Sequence, residues 1–352
     1  MLHWALVNNL LTAVGSAPYV SRPNLPHQAA GYPAGVQLAL LPFGERALRH
    51  FVYLERPEGT ELDDAEGFEA AGPALPVMAP GELLPRGQEF STVGHLYRSI
   101  EGGLALLAEK YGEDRLFIGP PRAQATADTF RWPDLGAITD VASARAAIER
   151  IVEQGEGARG NWSAAHYGRF VAVLDEYLAL RAADPRFEPA YPVAAAGVHP
   201  IEGKDPEIRI TDPTTAAVSD LFNAVYDLLL QVIVRYFAFG HETDEQLAIL
   251  ADSCVELMVS AIKPLGMLLA TLPVGAEHPG ATAGANFALA YRMSFLLPHR
   301  RAAWIRFSER LHETADSGAA IDLPSPAAAV AEGVGEVLRK LARRLEDQIE
   351  PV

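Results

Sequence analysis

The chain has 352 residues, 49% of them hydrophobic, enough to bury a sizeable core in one large domain or two smaller ones. Its 29 basic and 45 acidic residues leave a net charge of -16, which repels phosphate backbones and anionic lipid heads and argues against nucleic acid and membrane surfaces as partners. A single cysteine, Cys254, excludes an intramolecular disulfide and cysteine-rich zinc sites and fits a reducing, cytoplasmic compartment.

Sustained period-two alternation is scarce, so the sequence predicts a mainly helical, all-α protein. The opening "MLHWALVNNLLTAVGSA" has no basic region before its apolar part, as a secretory signal would, and reads as a fold helix over about 2–14 stopped by Gly15. A proline- and glycine-rich stretch follows. "GERALRHFVYLERP" is a short helix ended by Pro57, and about 57–90 is irregular. "STVGHLYRSIEGGLALLAEKYG" starts at a Ser91 or Thr92 cap. "ITDVASARAAIERIVEQGEG" starts at an Asp140 cap and ends at Gly155 and Gly157. "WSAAHYGRFVAVLDEYLALRAADP" then runs to Pro185.

The composition of 188–212 reads as a linker between a first domain, 1–187, and a helical region, 213–352. Four long helices are expected there, over about 213–239, 243–272, 287–315 and 326–348. The apolar stretch "AVYDLLLQVIVRYFAF" carries Asp227, Gln231 and Arg235 and falls short of the roughly 20 residues a bilayer span needs, so a buried core helix is expected.

Several titratable residues stand out. Glu149, Glu153 and Glu156 share one stripe of their helix, with Val141, Ile148, Ile151 and Val152 largely opposite, which suits an exposed acidic face as well as a ligand set. His166, Phe170, Val173, Tyr177 and Leu180 follow helical spacing, so His166 is expected to point inward. His3, Val7, Leu10 and Val14 repeat the pattern. One inward histidine is more often a hydrogen-bonded core residue than a ligand. Two of them near helix ends, with carboxylates on a third helix, match the way a bundle assembles a metal site.

The segments "MLHWALVNNLLTAVGSAP", "RPNLP", "GYPAGVQLALLPF", "FVYLERPE", "STVGHLYRSIEGGL", "LFIG" and "ITDVASARAAIERIVEQGEG" followed by "HYGRF" resemble, in order over about residues 1–185, the ferritin-like family that includes the iminophenyl-pyruvate dimer synthase domain. That enzyme acts in bisindole pigment and antibiotic pathways. The latter half, from "DPTTAAVSDLFNAVYDLLLQV" to "LLPHRRAAWIRFSERL", is similar to the C-terminal region of stand-alone members.

The resemblance implies a ferritin-like bundle with metal ligands His3, Glu153, Glu156 and His166, iron as the metal, dinuclear in a full form, and a small-molecule substrate. Self-association into a homo-oligomer is open. The chain also departs from the pattern. The glutamate paired with His3 would fall before Met1, together with the helix that carries another, and Ser163 stands where the second pair has its acid. The expectation is a bundle incomplete at its N-terminus that holds half a site, with helix 2–14 presenting an open apolar stripe.

Two functions follow from this. One is an iron-dependent oxidoreductase acting on a small amino-acid-derived substrate. The other is a non-catalytic helical protein, truncated or degenerate, whose metal site is incomplete. Of the remaining motifs, "HETDE" lacks the second histidine of a zinc protease helix, which makes His241 a loop or helix-start residue. Arg300 and Arg301 beside Trp304 read as an exposed basic helix start before a carboxylate site.

Overall fold

The computed structural model describes residues 2–16, 24–25, 27–28, 37–60, 90–157, 162–194, 209–238, 241–289 and 299–349. Packing divides the chain into two compact units. The first comprises Met1–Ser16, Pro26–Gln124 and Leu135–Ala190, and the second Ala17–Leu25, Ala125–Asp134 and Tyr191–Val352. The last break between the units falls at 190, and the second unit also takes two short segments from earlier in the chain.

In the first unit, α1 (Leu2–Ala13) ends at Gly15, whose φ of 76° glycine adopts without a Cβ penalty. A two-residue antiparallel pair, β1 (His27–Gln28) with β2 (Gln37–Leu38), is the sheet among the described residues. Then come α2 (Glu45–Leu54), α3 (Val93–Tyr111), the short α4 (Glu113–Leu116), α6 (Val141–Gly155) and α7 (His166–Ala183), while α5 (Ala127–Phe130) belongs to the second unit. Helix α3 packs on α6, α2 on α7, and α1 on α6. Thr92 caps α3 by accepting from His95 N at 3.1 Å. Asp140 caps α6 by accepting from Ser143 N at 2.7 Å, with Ser143 Oγ returning to the cap backbone.

Two stripes lie elsewhere on their helices than the spacing predicts. Helix α7 begins at His166, not Trp162, and buries Leu174 and Tyr177 against Leu48 and Val52 of α2, with Tyr167, Phe170, Val171 and Leu178 alongside. Val173 and Leu180, expected inside, are each 41% exposed. Helix α1 buries Ala5, Leu6, Asn8, Asn9, Thr12 and Ala13. Its predicted stripe, His3, Val7, Leu10 and Val14, is half-buried, as are Leu2 and Leu11. Polar Asn9 lies inward because its Nδ2 donates to Gly136 O at 3.1 Å, which satisfies a buried amide.

The second unit is built on α8 (Pro213–Tyr236), followed by α9 (Asp244–Leu257), a π turn (Met258–Ile262), α10 (Lys263–Leu269), α11 (Arg300–Ala319) and α12 (Ala327–Glu346). The π turn lies just ahead of Pro264, whose ring nitrogen has no N–H for a regular turn. Helix α11 starts at Arg300, not near 287: Phe287 has a φ of 50°, and Ala288 N donates to Asn223 Oδ1 at 2.9 Å, so the chain is held non-helical there. Residues 290–298, also expected in that helix, lie outside the described residues. With Pro213 as its first residue, α8 is longer than its apolar stretch suggests. Its length and composition suffice to cross a membrane, but 67% of its most apolar window is buried inside the protein.

Candidate metal centre

The helix ends of the first unit bring two histidines together. His3 lies in the first turn of α1 and His166 is the first residue of α7, and their ring centres stand 5.5 Å apart at 32°. His3 Nε2 is 2.9 Å from Gln154 Oε1, so with the amide in this orientation Nε2 carries the proton and the Nδ1 lone pair is left for another partner. Burial pushes the His3 imidazole below its ordinary value, the Gln154 bond opposes this, and neighbouring His166 lowers it further.

The acid nearest His166 is one that the sequence reading passed over. Glu55, at the C-terminal end of α2, places Oε1 3.5 Å from His166 Nδ1, with the two side chains 31% and 42% exposed. Burial raises the Glu55 carboxyl, His166 opposes that by charge and hydrogen bonding, and nearby Glu156 adds to the rise. The next residue anchors it. Buried Arg56 donates from Nη1 to Tyr53 O at 2.7 Å and from Nη2 to Ser91 O at 2.6 Å, with its guanidinium 3.9 Å from the Tyr53 ring centre. Gly155 belongs to the same corner, since a Cβ there would meet Glu55 Oε2 at 3.2 Å.

Of the two predicted acids, Glu153 is exposed and Glu156 is buried. Glu156 is the residue that ends α6. Its Oε1 accepts from Gly94 N at 2.5 Å and its Oε2 from Arg98 Nη2 at 3.3 Å. The structure therefore joins His3 to His166, adds Glu55 to them, commits Glu156 to the start of α3 and leaves Glu153 to solvent. "FVYLERPE" contained the missed signal, but Glu55 follows the helix and has no place in a stripe.

Imidazole and carboxylate donors suit a first-row metal, and Gln154 is the kind of outer partner that fixes the tautomer of a metal-binding histidine. As the side chains stand, no three His, Cys, Asp or Glu among the described residues converge closely enough to hold an ion. The donors meet pairwise, His3 with His166 and His166 with Glu55.

Residues 1–175 match the Ferritin-like family model, and the chain belongs to the ferritin-like family. It is 30% identical over 331 residues to dichlorochromopyrrolate synthase of Lentzea aerocolonigenes, covering 87% of this chain and 31% of that one. It is 28% identical over 296 residues to 2-imino-3-(indol-3-yl)propanoate dimerase of Chromobacterium violaceum, covering 81% of this chain and 26% of the relative. The chain thus spans under a third of the length of these curated relatives, which are enzymes acting on small molecules. No solved structure matches it.

Proposed function

We propose that the chain is a ferritin-like oxidoreductase that oxidatively couples a small imine derived from an amino acid, using iron held where His3 and His166 meet. The observation that carries this reading is the facing of two imidazoles from the starts of α1 and α7; the similarity of the chain as a whole to a dichlorochromopyrrolate synthase and an imine dimerase supports it. When bound, iron supplies one-electron exchange with substrate and dioxygen. Joining two imine molecules forms one bond and removes two hydrogen atoms. Their two electrons and two protons pass to dioxygen and give hydrogen peroxide.

The chain's own residues hold the site. Gln154 sets the His3 tautomer, Arg56 fixes the backbone that presents Glu55, and the His166 and Glu55 side chains are part-exposed to solvent. The reading includes a cytoplasmic setting, consistent with the one cysteine, Cys254, being free and buried.

The test loads the purified chain anaerobically with ferrous iron and then supplies dioxygen and imines released from aromatic amino acids by an amino-acid oxidase. Dioxygen uptake and a coupled product of twice the substrate mass less two hydrogens, both lost in His166→Ala, are expected. If no imine in such a panel is consumed faster than in the metal-free control, the proposal fails.

A further inference from the structure

We infer that Phe51 is a specificity-determining residue of this corner, the surface on which a flat aromatic side chain of the coupled imine lies. This rests on the reaction proposed above and adds a binding face to the polar residues already described. The surface is one of two rows along the seam between α2 and α7. Glu55 faces His166 in one row, with 3.5 Å between Oε1 and Nδ1, and Phe51 faces Phe170 in the other, with ring centres 5.0 Å apart at 20°. Glu55 N donates to Phe51 O at 3.0 Å, and Phe170 follows His166 by one turn of α7, so the two rows are one helical turn apart.

The aromatic row has room for a third ring. Phe170 stacks on one face of Phe51, yet Phe51 remains 40% exposed, whereas Leu48 and Val52 of the same helix are buried against α7. Near-parallel rings at this separation attract each other beyond simple area burial. A further ring that continues the stack covers apolar surface that the fold leaves in water. Phe43 is the contrasting case: it is 47% exposed, but it packs edge-on to Tyr177 at 5.8 Å, ahead of α2 and at the far end of the same seam.

The spacing of the rows matches such a substrate. Side chains one turn apart on a helix stand about 5–6 Å from each other. In an aromatic imino acid the ring centre lies about 4–5 Å from the imine carbon and nitrogen by standard bond lengths. A ring seated on Phe51 therefore brings the imine within reach of the Glu55–His166 row, where the Glu55 carboxylate can accept from the imine N–H. An aliphatic side chain reaches the same row but gains nothing from the stack. Phe51 thus separates substrates by the shape of the side chain, while the polar row meets the part that all imino acids share.

The experiment titrates the metal-free full chain with fluoroindole, read by fluorine NMR, and separately measures kcat/KM of the iron-loaded chain for the imines of tryptophan and leucine. Saturable fluoroindole binding, displaced by indole, is expected. It should weaken by about threefold or more in Phe51→Leu, which keeps apolar bulk without the ring, recover in Phe51→Trp, and stay unchanged in Phe43→Leu. The tryptophan-to-leucine ratio of kcat/KM should fall by a similar factor in Phe51→Leu. Thermal unfolding of each variant separates a lost surface from a lost fold. No saturable binding, an equal loss in Phe43→Leu, or a folded Phe51→Leu with both readouts unchanged overturns the role of Phe51, and leaves the proposed function standing wherever imines are still coupled. Phe51-dependent binding in a chain that couples no imine instead overturns the coupling reaction and keeps Phe51 as a ring-binding residue.

Discussion

The Glu156 carboxylate sits against the backbone of Gly94, accepting its N–H at 2.5 Å, in space that any larger residue at position 94 would fill. The pair fastens the end of α6 to the start of α3. In an ordinary helix position, replacing glycine by alanine gains roughly 1 kcal/mol. Here the added Cβ collides with the carboxylate, so Gly94→Ala should destabilise by about 1–3 kcal/mol, as overpacking does. In a Glu156→Ala background the collision is gone, and the same substitution should become neutral or stabilising. Denaturant unfolding of the four proteins gives the coupling. Additive effects would show that the contact does not govern the choice of glycine.

Two helix caps set a dependence on acid. Asp140 at α6 and Asp212 at α8 accept backbone N–H groups and a neighbouring hydroxyl, from Ser143 and Thr215 respectively, and these bonds hold both carboxyls below the usual range. A carboxyl lowered in the folded state contributes stability that is present above the unfolded value, near 4, and is lost as pH falls through the folded value. Thermal unfolding between pH 6 and 2 should therefore show stability declining below about pH 4. Asp140→Asn and Asp212→Asn should each make that decline shallower without changing its direction. An acid limb as steep in the double variant as in the parent would rule the caps out as its source.

The inner face of α7 provides a contrast between neighbours. Leu174 is buried against α2 while Val173 beside it is 41% exposed. Leu174→Ala should cost about 2–5 kcal/mol and Val173→Ala within about 0.5 kcal/mol. Equal costs would mean that the helix is rotated from its observed register.

That same helix shows how far the sequence could be read. Caps such as Asp140 and Thr92 are local signals and were legible, because the accepting side chain and the donor lie three residues apart. Spacing put His166 on an inward stripe with Val173 and Leu180, yet its side chain is 42% exposed and α7 buries Leu174 and Tyr177, since α7 has apolar side chains on more than one face and only α2 decides which are buried. Glu55 was invisible for a related reason. It belongs to the site through a fold contact with His166, and its own neighbourhood spells only a helix end before Pro57. Glu156 shared its stripe with Glu149 and Glu153 as an exposed acidic face or a ligand set, and it is buried because its partners, Gly94 and Arg98, come from a helix whose position spacing cannot supply.

The second unit buries a charge pair whose removal should depend on how it is done. Arg235 Nε donates to Glu242 Oε1 at 2.5 Å, both side chains are nearly inaccessible, and Trp304 Nε1 lies 3.3 Å from the same oxygen. Removing one member strands a charge in a low-dielectric interior, so Glu242→Ala should cost about 3–5 kcal/mol. Replacing both by apolar residues of similar size, Arg235→Met with Glu242→Leu, removes the desolvation cost of both charges. It also takes away the indole's acceptor, which costs about 1–3 kcal/mol on its own. The double variant should therefore be more stable than Glu242→Ala and fall close to the parent, and adding Trp304→Phe should recover what the unpaired indole lost. Denaturant midpoints for the series, at constant slope, measure each step. A double variant as unstable as Glu242→Ala would show that the pair contributes through partners other than each other and Trp304.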